Sequence, residues 1–169
     1  MTDPELLALA ERLQGLCLGR GLSVATAESC TGGLLASVIT DIPGASGYFR
    51  GSIVAYADAT KVALLDVPEA TLNAHGAVSA QVARVMATGL RDRLGVSLAI
   101  SITGVSGPDG GSDEKPVGLT YIGLADRRTS DVRRHTWTGD RATNRRESVR
   151  SALRWLIERA ETPAPEAGP

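Results

Sequence analysis

Cysteine is nearly absent from this chain: Cys17 and Cys30 are the only two in 169 residues. Neither has a close His or Cys partner at metal-ligand spacing, which argues against a zinc site and against a disulfide framework, and places the chain in a reducing compartment. Aromatic residues make up only 4%, so the core has to be aliphatic and alanine-rich. Neither sign of charge is in excess. Eighteen Lys and Arg against nineteen Asp and Glu leave a net charge of −1, and with it no global electrostatic reason to expect nucleic acid or a membrane surface as partner. No run approaches the ~18 apolar residues of a membrane span, and the N-terminus lacks the basic, apolar and small-residue regions of a signal peptide. The expectation is a soluble, cytoplasmic protein. The charge is uneven, however: Arg127 to Arg159 holds ten arginines and four acids. Such a stretch can receive an anion or simply form a solvated helix face.

What is present suits one domain, since 43% hydrophobic content over this length is enough for a sizeable core. The pattern alternates helices and strands. Asp3 can cap a helix with Pro4 at its first position, and Leu6, Leu9, Leu13, Leu16 and Cys17 follow at helical spacing. Strands are expected at Leu22 to Ala25, Ser52 to Tyr56, Val96 to Ile102, Val117 to Leu124 and Val132 to Thr138, the last two as an antiparallel hairpin. Helices are expected at Gly32 to Thr40, Ala59 to Leu65, Pro68 to Asn73, from a Ser79 cap to Leu94, and from Ala142 to Ala160. The fold expected is a single three-layer α/β/α domain with a mixed sheet over residues 1–161, and a disordered Pro- and Ala-rich tail at 162–169.

Two segments stand out, AESCTGG at Ala27 to Gly33 and SITGVSGPDGG at Ser101 to Gly111. Each follows an apolar strand-like run and carries hydroxyls and glycines where the chain leaves the sheet. Ser29 can serve as a nucleophile near the positive end of a helix or, with Thr31, as that helix's cap, which the local sequence favours. Cys30 has no adjacent His base and reads as packing. In AYADATK, Tyr56 ends a strand and Lys61 follows about one helical turn later. A lysine can act as the base for a serine, although a surface lysine is the commoner occurrence. The loop from Thr103 to Lys115, with Gly104, Gly107, Gly110 and Gly111, offers N–H groups to a phosphate or an oxyanion. It fits neither the GxxxxGK[ST] nor the GxGxxG pattern.

The segments AESCTGG, GSIVAYADATK, GAVS, SITGVSGPDGGSDEKPVG and GDR at Gly139 to Arg141, in that order, resemble the C-terminal domain of the CinA competence and damage-inducible family. The resemblance covers about Leu6 to Ala160. It implies hydrolytic deamidation of nicotinamide mononucleotide to nicotinate mononucleotide and ammonia, without a metal or other cofactor. It implies Ser29 as nucleophile, Lys61 as general base and Tyr56 as third member of the group. Thr31, Gly32, Ser46, Thr103, Gly104 and Gly107 would line the substrate site, Arg141 or Arg145 would hold the phosphate, and the protein would be a homodimer. Exposed apolar positions on the first or last helix could supply the dimer interface, or the same stripes could simply close the core. The pyrophosphatase activity of the extra N-terminal domain in larger family members is not transferred. Two other readings stay open, a nucleotide-sensing domain of the same fold and an amidase for a different small carboxamide.

Overall fold

The computed structural model describes residues 3–162; the 162–169 tail expected from composition lies, apart from Thr162, outside the described residues. The elements in chain order are α1 (Pro4–Arg20), β1 (Val24–Glu28), α2 (Leu34–Thr40), a 3-10 turn (Ala45–Gly47), β2 (Phe49–Val54), α3 (Asp58–Leu65), α4 (Glu69–His75), α5 (Ala80–Leu94), β3 (Leu98–Gly104), β4 (Leu119–Ala125), β5 (Ser130–Thr136) and α6 (Arg141–Glu161). Helix boundaries follow the local capping chemistry. Asp3 accepts from the Glu5 N–H with Pro4 in the first turn, and Gly21 ends α1 in the left-handed region at φ 62°. Ser79 accepts from Val82 N at the start of α5, and Asp140 from Thr143 N at the start of α6.

The strands are displaced from their expected limits by one to three residues. The largest consequence is in β1, which starts at Val24 and runs on through Thr26 and Glu28. Those two polar residues read as loop in a sequence, yet β1 is the centre of the parallel ladder and is buried along its whole length. Central position and burial override the local polarity.

The sheet has the order β2-β1-β3-β4-β5. Strands β2, β1 and β3 are parallel, while β3, β4 and β5 are antiparallel neighbours, so the sheet is mixed and the final hairpin forms as expected. One face carries α1, α2 and α6 over Val24, Leu98, Ile100, Ile102, Ile122 and Leu124. The other carries α5, with α3 packed on it, over Ala25, Ala27 and Ala99. This second face is small for a physical reason: α5 lies almost on the sheet. A Cβ at Gly123 would stand 2.4 Å from the Ala83 carbonyl oxygen, and Ser101 donates its hydroxyl to that same oxygen at 2.6 Å. Three layers result, two of helices about one sheet.

Because β1, β2 and β3 run in parallel, their C-terminal ends share one edge of the sheet. The β3–β4 connection and the start of α6, which follows β5, fall at the same edge. The chain leaves β1 for one neighbour through α2 on one face and reaches the other neighbour through α5 on the opposite face. Such a reversal opens a crevice beyond the strand ends, where ligands bind in open α/β sheets.

Candidate functional site

Ser29 sits one residue beyond β1, wedged between the ends of both neighbouring strands: its N–H donates to Ile102 O at 2.9 Å, and Ala55 N donates to Glu28 O at 2.8 Å. By the period-two alternation of a strand, Ser29 continues the row of Ala25 and Ala27 on the α5 face. The residue is 8% exposed, and its hydroxyl makes no hydrogen bond among the described residues. Cys30 beside it is buried in the opposite core cluster. Burial pushes its thiol up, outweighing the Ser106 hydroxyl that lowers it, so it is an inert packing residue.

Neither Ser29 nor Thr31 caps α2. The N-cap position is Gly33 at φ 91°, without a side-chain cap of its own. The acceptor is Glu28, whose carboxylate is fully buried and takes the N–H groups of Gly33 (3.0 Å), Leu35 (3.1 Å) and Ala36 (2.8 Å). A carboxylate at a helix N-terminus is favoured by the orphan donors and the helix dipole. Here it folds the Ser29–Gly33 turn back on β1 and fills the α2 terminus with the protein's own anion. No sequence pattern reveals this role for Glu28, because it precedes the helix by too many residues for any capping pattern. The Thr31 hydroxyl is fully buried with no partner among the described residues, and Gly32 takes φ 59° in the turn.

Tyr56 and Lys61 come next along the same edge. Lys61 is no surface lysine: it is 1% exposed, and its Nζ donates to Tyr56 O at 3.3 Å and to Asp58 Oδ1 at 3.2 Å. It shares the buried side of α3 with Leu65, which belongs to the core on the α5 face, the face that Ser29 continues. Lys61 makes no hydrogen bond to Ser29. The Tyr56 ring is exposed, and its hydroxyl accepts from Arg141 Nη2 at 3.0 Å.

The GDR segment has a structural explanation as well as a place at the site. A Cβ at Gly139 would clash with Thr143 at 2.6 Å, Asp140 caps α6, and Arg141 ties Tyr56 to the β3–β4 loop through Gly107 O at 2.8 Å. The N–H groups of Thr143 and Ala142 hold the Asp140 carboxyl below its usual value. Arg145, one turn on, donates to Thr31 O at 2.7 Å, and its Nε is buried with no partner among the described residues. The two arginines therefore border the Ser29 turn and Tyr56 from the N-terminal end of α6.

The glycine loop is more structural than its composition suggests. Thr103 gives its hydroxyl proton to Ala77 O at 2.9 Å. Cβ atoms at Gly104 and Gly107 would press on Leu119 O (2.7 Å) and on Val117 (2.5 Å). These two glycines are explained by close packing before any ligand is invoked. A cleft of about 580 Å3 runs between this loop and the start of α6, lined by Ser106, Pro108, Val117, Asp140 and Arg141. A larger hollow of about 1050 Å3 lies at the opposite edge between Arg20, Asp126 and Arg159. It holds none of the candidate residues.

Ser46 is the one candidate the fold does not bring to this edge. It is exposed in the 3-10 turn before β2, at the N-terminal end of that strand. Sequence order could not reveal this, because only the strand direction decides which edge a loop occupies.

Residues 6–160 match the family of CinA C-terminal domains, and the chain belongs to that family. It is 50% identical over 143 residues to a CinA-like protein of Geobacter sulfurreducens, covering 85% of this chain and 35% of that protein. With a putative competence-damage inducible protein of Moorella thermoacetica it shares 48% identity over 153 residues, covering 90% and 36%. The chain thus spans about a third of the length of these curated relatives. Among solved structures, the competence/damage inducible protein CihA of Agrobacterium tumefaciens superposes with a TM-score of 0.89 at 38% identity, covering 94% of this chain and 97% of that one. A CinA superfamily protein of Escherichia coli superposes at 0.88 and 31%, covering 94% and 92%.

Proposed function

We propose that this domain is a hydrolase of a linear carboxamide, with nicotinamide mononucleotide as substrate and nicotinate mononucleotide and ammonia as products. The observation that carries the reading is the single edge at which an unbonded Ser29 hydroxyl, a fully buried Lys61 and the Arg141-linked Tyr56 meet. Ser29 Oγ attacks the carboxamide carbon while its proton passes to the free-amine form of Lys61. The Lys61 amine has to turn from Asp58 and the Tyr56 carbonyl toward Ser29 for this step. The tetrahedral oxyanion is received by the N–H groups of Cys30 and Thr31, which have no backbone acceptor among the described residues. The donors of α2 itself are not available, since Glu28 occupies them. The proton returns through Lys61 or Tyr56 to the leaving nitrogen, the C–N bond breaks, and ammonia departs. Water then adds to the Ser29 ester and releases the carboxylate. Arg141 and Arg145 hold the 5′-phosphate away from the reacting carbon, where its binding energy orients the ring.

Release of ammonia from the mononucleotide, absent in Ser29→Ala, tests this reading. Nicotinamide offered in parallel separates a nucleotide amidase from a general one: equal turnover removes the phosphate from the account. A second reading, binding without turnover, draws on the lack of a Ser29–Lys61 hydrogen bond. A folded wild type that binds the mononucleotide and releases no ammonia would favour it.

A further inference from the structure

The buried Lys61 amine is held by two acceptors, Tyr56 O at 3.3 Å and Asp58 Oδ1 at 3.2 Å. The two are unlike. The first is a backbone carbonyl, fixed in place, whereas Asp58 is the first residue of α3 and its side chain is 60% exposed beside a lysine that is 1% exposed. An ion pair with one partner in water is weak and readily exchanged. Asp58 Oδ2 has no hydrogen bond among the described residues, so half of the carboxylate is uncommitted. An acid in the first turn of a helix suits the dipole. That accounts for a negative charge at residue 58 but not for its grip on a buried lysine at the strand ends.

The other acids of this edge are placed differently. Glu28 is saturated by three N–H groups, and Asp140 caps α6. Asp109, Asp113 and Glu114 are exposed on the β3–β4 loop and, among the described residues, hydrogen-bond to none of the site. The cations lie on the other side of Tyr56. Its hydroxyl accepts from Arg141, and its backbone carbonyl shares the Lys61 amine with Asp58. The Tyr56 side chain, its ring exposed, therefore runs from a basic pole to an acidic one. An aromatic face adds to a carboxylate in attracting a cation. A nucleotide of a pyridinium carboxamide has the matching polarity, with an anionic phosphate at one end and a positive ring at the other.

We infer that Asp58 reads the positive charge of the substrate ring, and that the arriving ring releases Lys61 by drawing Asp58 from it. The inference rests on the amidase reading above and supplies the cause of the turn which that reaction requires of Lys61. A ring nitrogen alkylated by ribose cannot shed its charge, whereas an ammonium can. With two cations about one carboxylate, the Lys61 ammonium gives its proton to water, and the free amine swings to Ser29 Oγ. In the resting protein the base stays held, away from the nucleophile. Deamidation then places a new carboxylate on the ring, which Asp58 repels, so the same residue favours departure of the product.

Nicotinamide mononucleotide and its 1,4-dihydro form share phosphate and carboxamide and differ in ring charge. Calorimetric titration of each into the Ser29→Ala variant, where hydrolysis does not consume the ligand, compares them. The same pair titrated into Ser29→Ala/Asp58→Asn isolates Asp58. The cationic form is expected to bind about 5- to 10-fold tighter to the first protein and within about twofold of the neutral form to the second. Asp58→Glu in place of Asn keeps the charge and should keep the preference. Equal affinities in the first protein would overturn the inference, as would a preference that survives Asp58→Asn. Ammonia release with Ser29 intact reads the release of Lys61. Asp58→Asn should raise KM for the mononucleotide about 5- to 10-fold and hold kcat within about threefold, since the base works once free of its partner. A kcat lowered about 100-fold at unchanged KM would mean that Asp58 supports the base instead of yielding it, and would overturn the release. Ring-charge preference without ammonia from the wild type would refute the amidase reading alone; ammonia without the preference would refute this inference alone.

Discussion

Glu28→Ala removes a fully buried carboxylate that accepts from three backbone donors, and leaves those donors with nothing in its place. Each orphaned buried donor costs about 1–3 kcal/mol. The Leu35 residue is fully buried, so its N–H bears the full penalty; Gly33 and Ala36 are partly exposed, and water offsets some of theirs. The loss is about 3–5 kcal/mol once the vacated volume is included, a large fraction of the ~5–15 kcal/mol that holds a typical domain folded. Glu28→Gln keeps one accepting oxygen but turns an NH2 toward a backbone N–H, for about 1.5–3 kcal/mol. Urea unfolding followed by circular dichroism reads both, with the slope m unchanged if the denatured state is unaffected. An alanine variant within 1 kcal/mol of wild type would show that the carboxylate does not anchor the Ser29–Gly33 turn. The same variants report on the site. Where Glu28→Gln remains folded, ammonia release should fall more in kcat than in KM, because the turn presents the nucleophile and not the phosphate site.

Lys61→Met keeps most of the buried stem and should leave the fold intact by circular dichroism while lowering kcat at least 100-fold; turnover within threefold of wild type would exclude Lys61 as the base. Arg145→Met and Arg141→Met should raise KM for the mononucleotide about 10- to 100-fold with little change for free nicotinamide, and equal effects on both compounds would break the assignment to phosphate. Gly123→Ala forces a methyl to within 2.4 Å of a backbone oxygen of α5 and should cost about 2–3 kcal/mol, about 4–12 °C in Tm; an unchanged Tm would mean that α5 can lift from the sheet at no cost. Burial raises the Asp126 carboxyl, but the N–H groups of Thr129 and Arg128 together with Arg159 outweigh it and hold the group below its ordinary 3.8. Its contribution is therefore complete above that value and lost as the pH falls through the lower, folded-state value, so the Tm of Asp126→Asn should decline less steeply below pH 4 than that of wild type. Parallel curves would contradict this.

The readable parts of the fold were those governed by local chemistry. Asp3 with Pro4, and Ser79, announce their helices because a cap acts within three residues of itself. The β4–β5 hairpin was legible because the connection is too short for anything but an antiparallel return. What required the folded chain was set by distant neighbours. Glu28 reads as the polar start of a loop, and only the central place of β1 and the donors of α2 make it a buried anchor. Lys61 reads as a surface residue until α3 turns its inner side to the sheet. The glycines at Gly104 and Gly107 suggested a ligand cradle, whereas Leu119, Thr120 and Val117 already fill the space where side chains would stand. Ser46 shows the limit most plainly: a residue's motif can be recognised along the chain while its edge of the sheet depends on strand direction.

The central claim, a serine amidase acting on a nicotinamide nucleotide, is tested most directly by ammonia release from purified protein supplied with the mononucleotide, with Ser29→Ala measured alongside. The account predicts steady release by the wild type and loss of at least 100-fold in the variant, with nicotinate mononucleotide formed in equal amount. Release that persists in a folded Ser29→Ala protein would contradict it, because the nucleophile would then lie elsewhere.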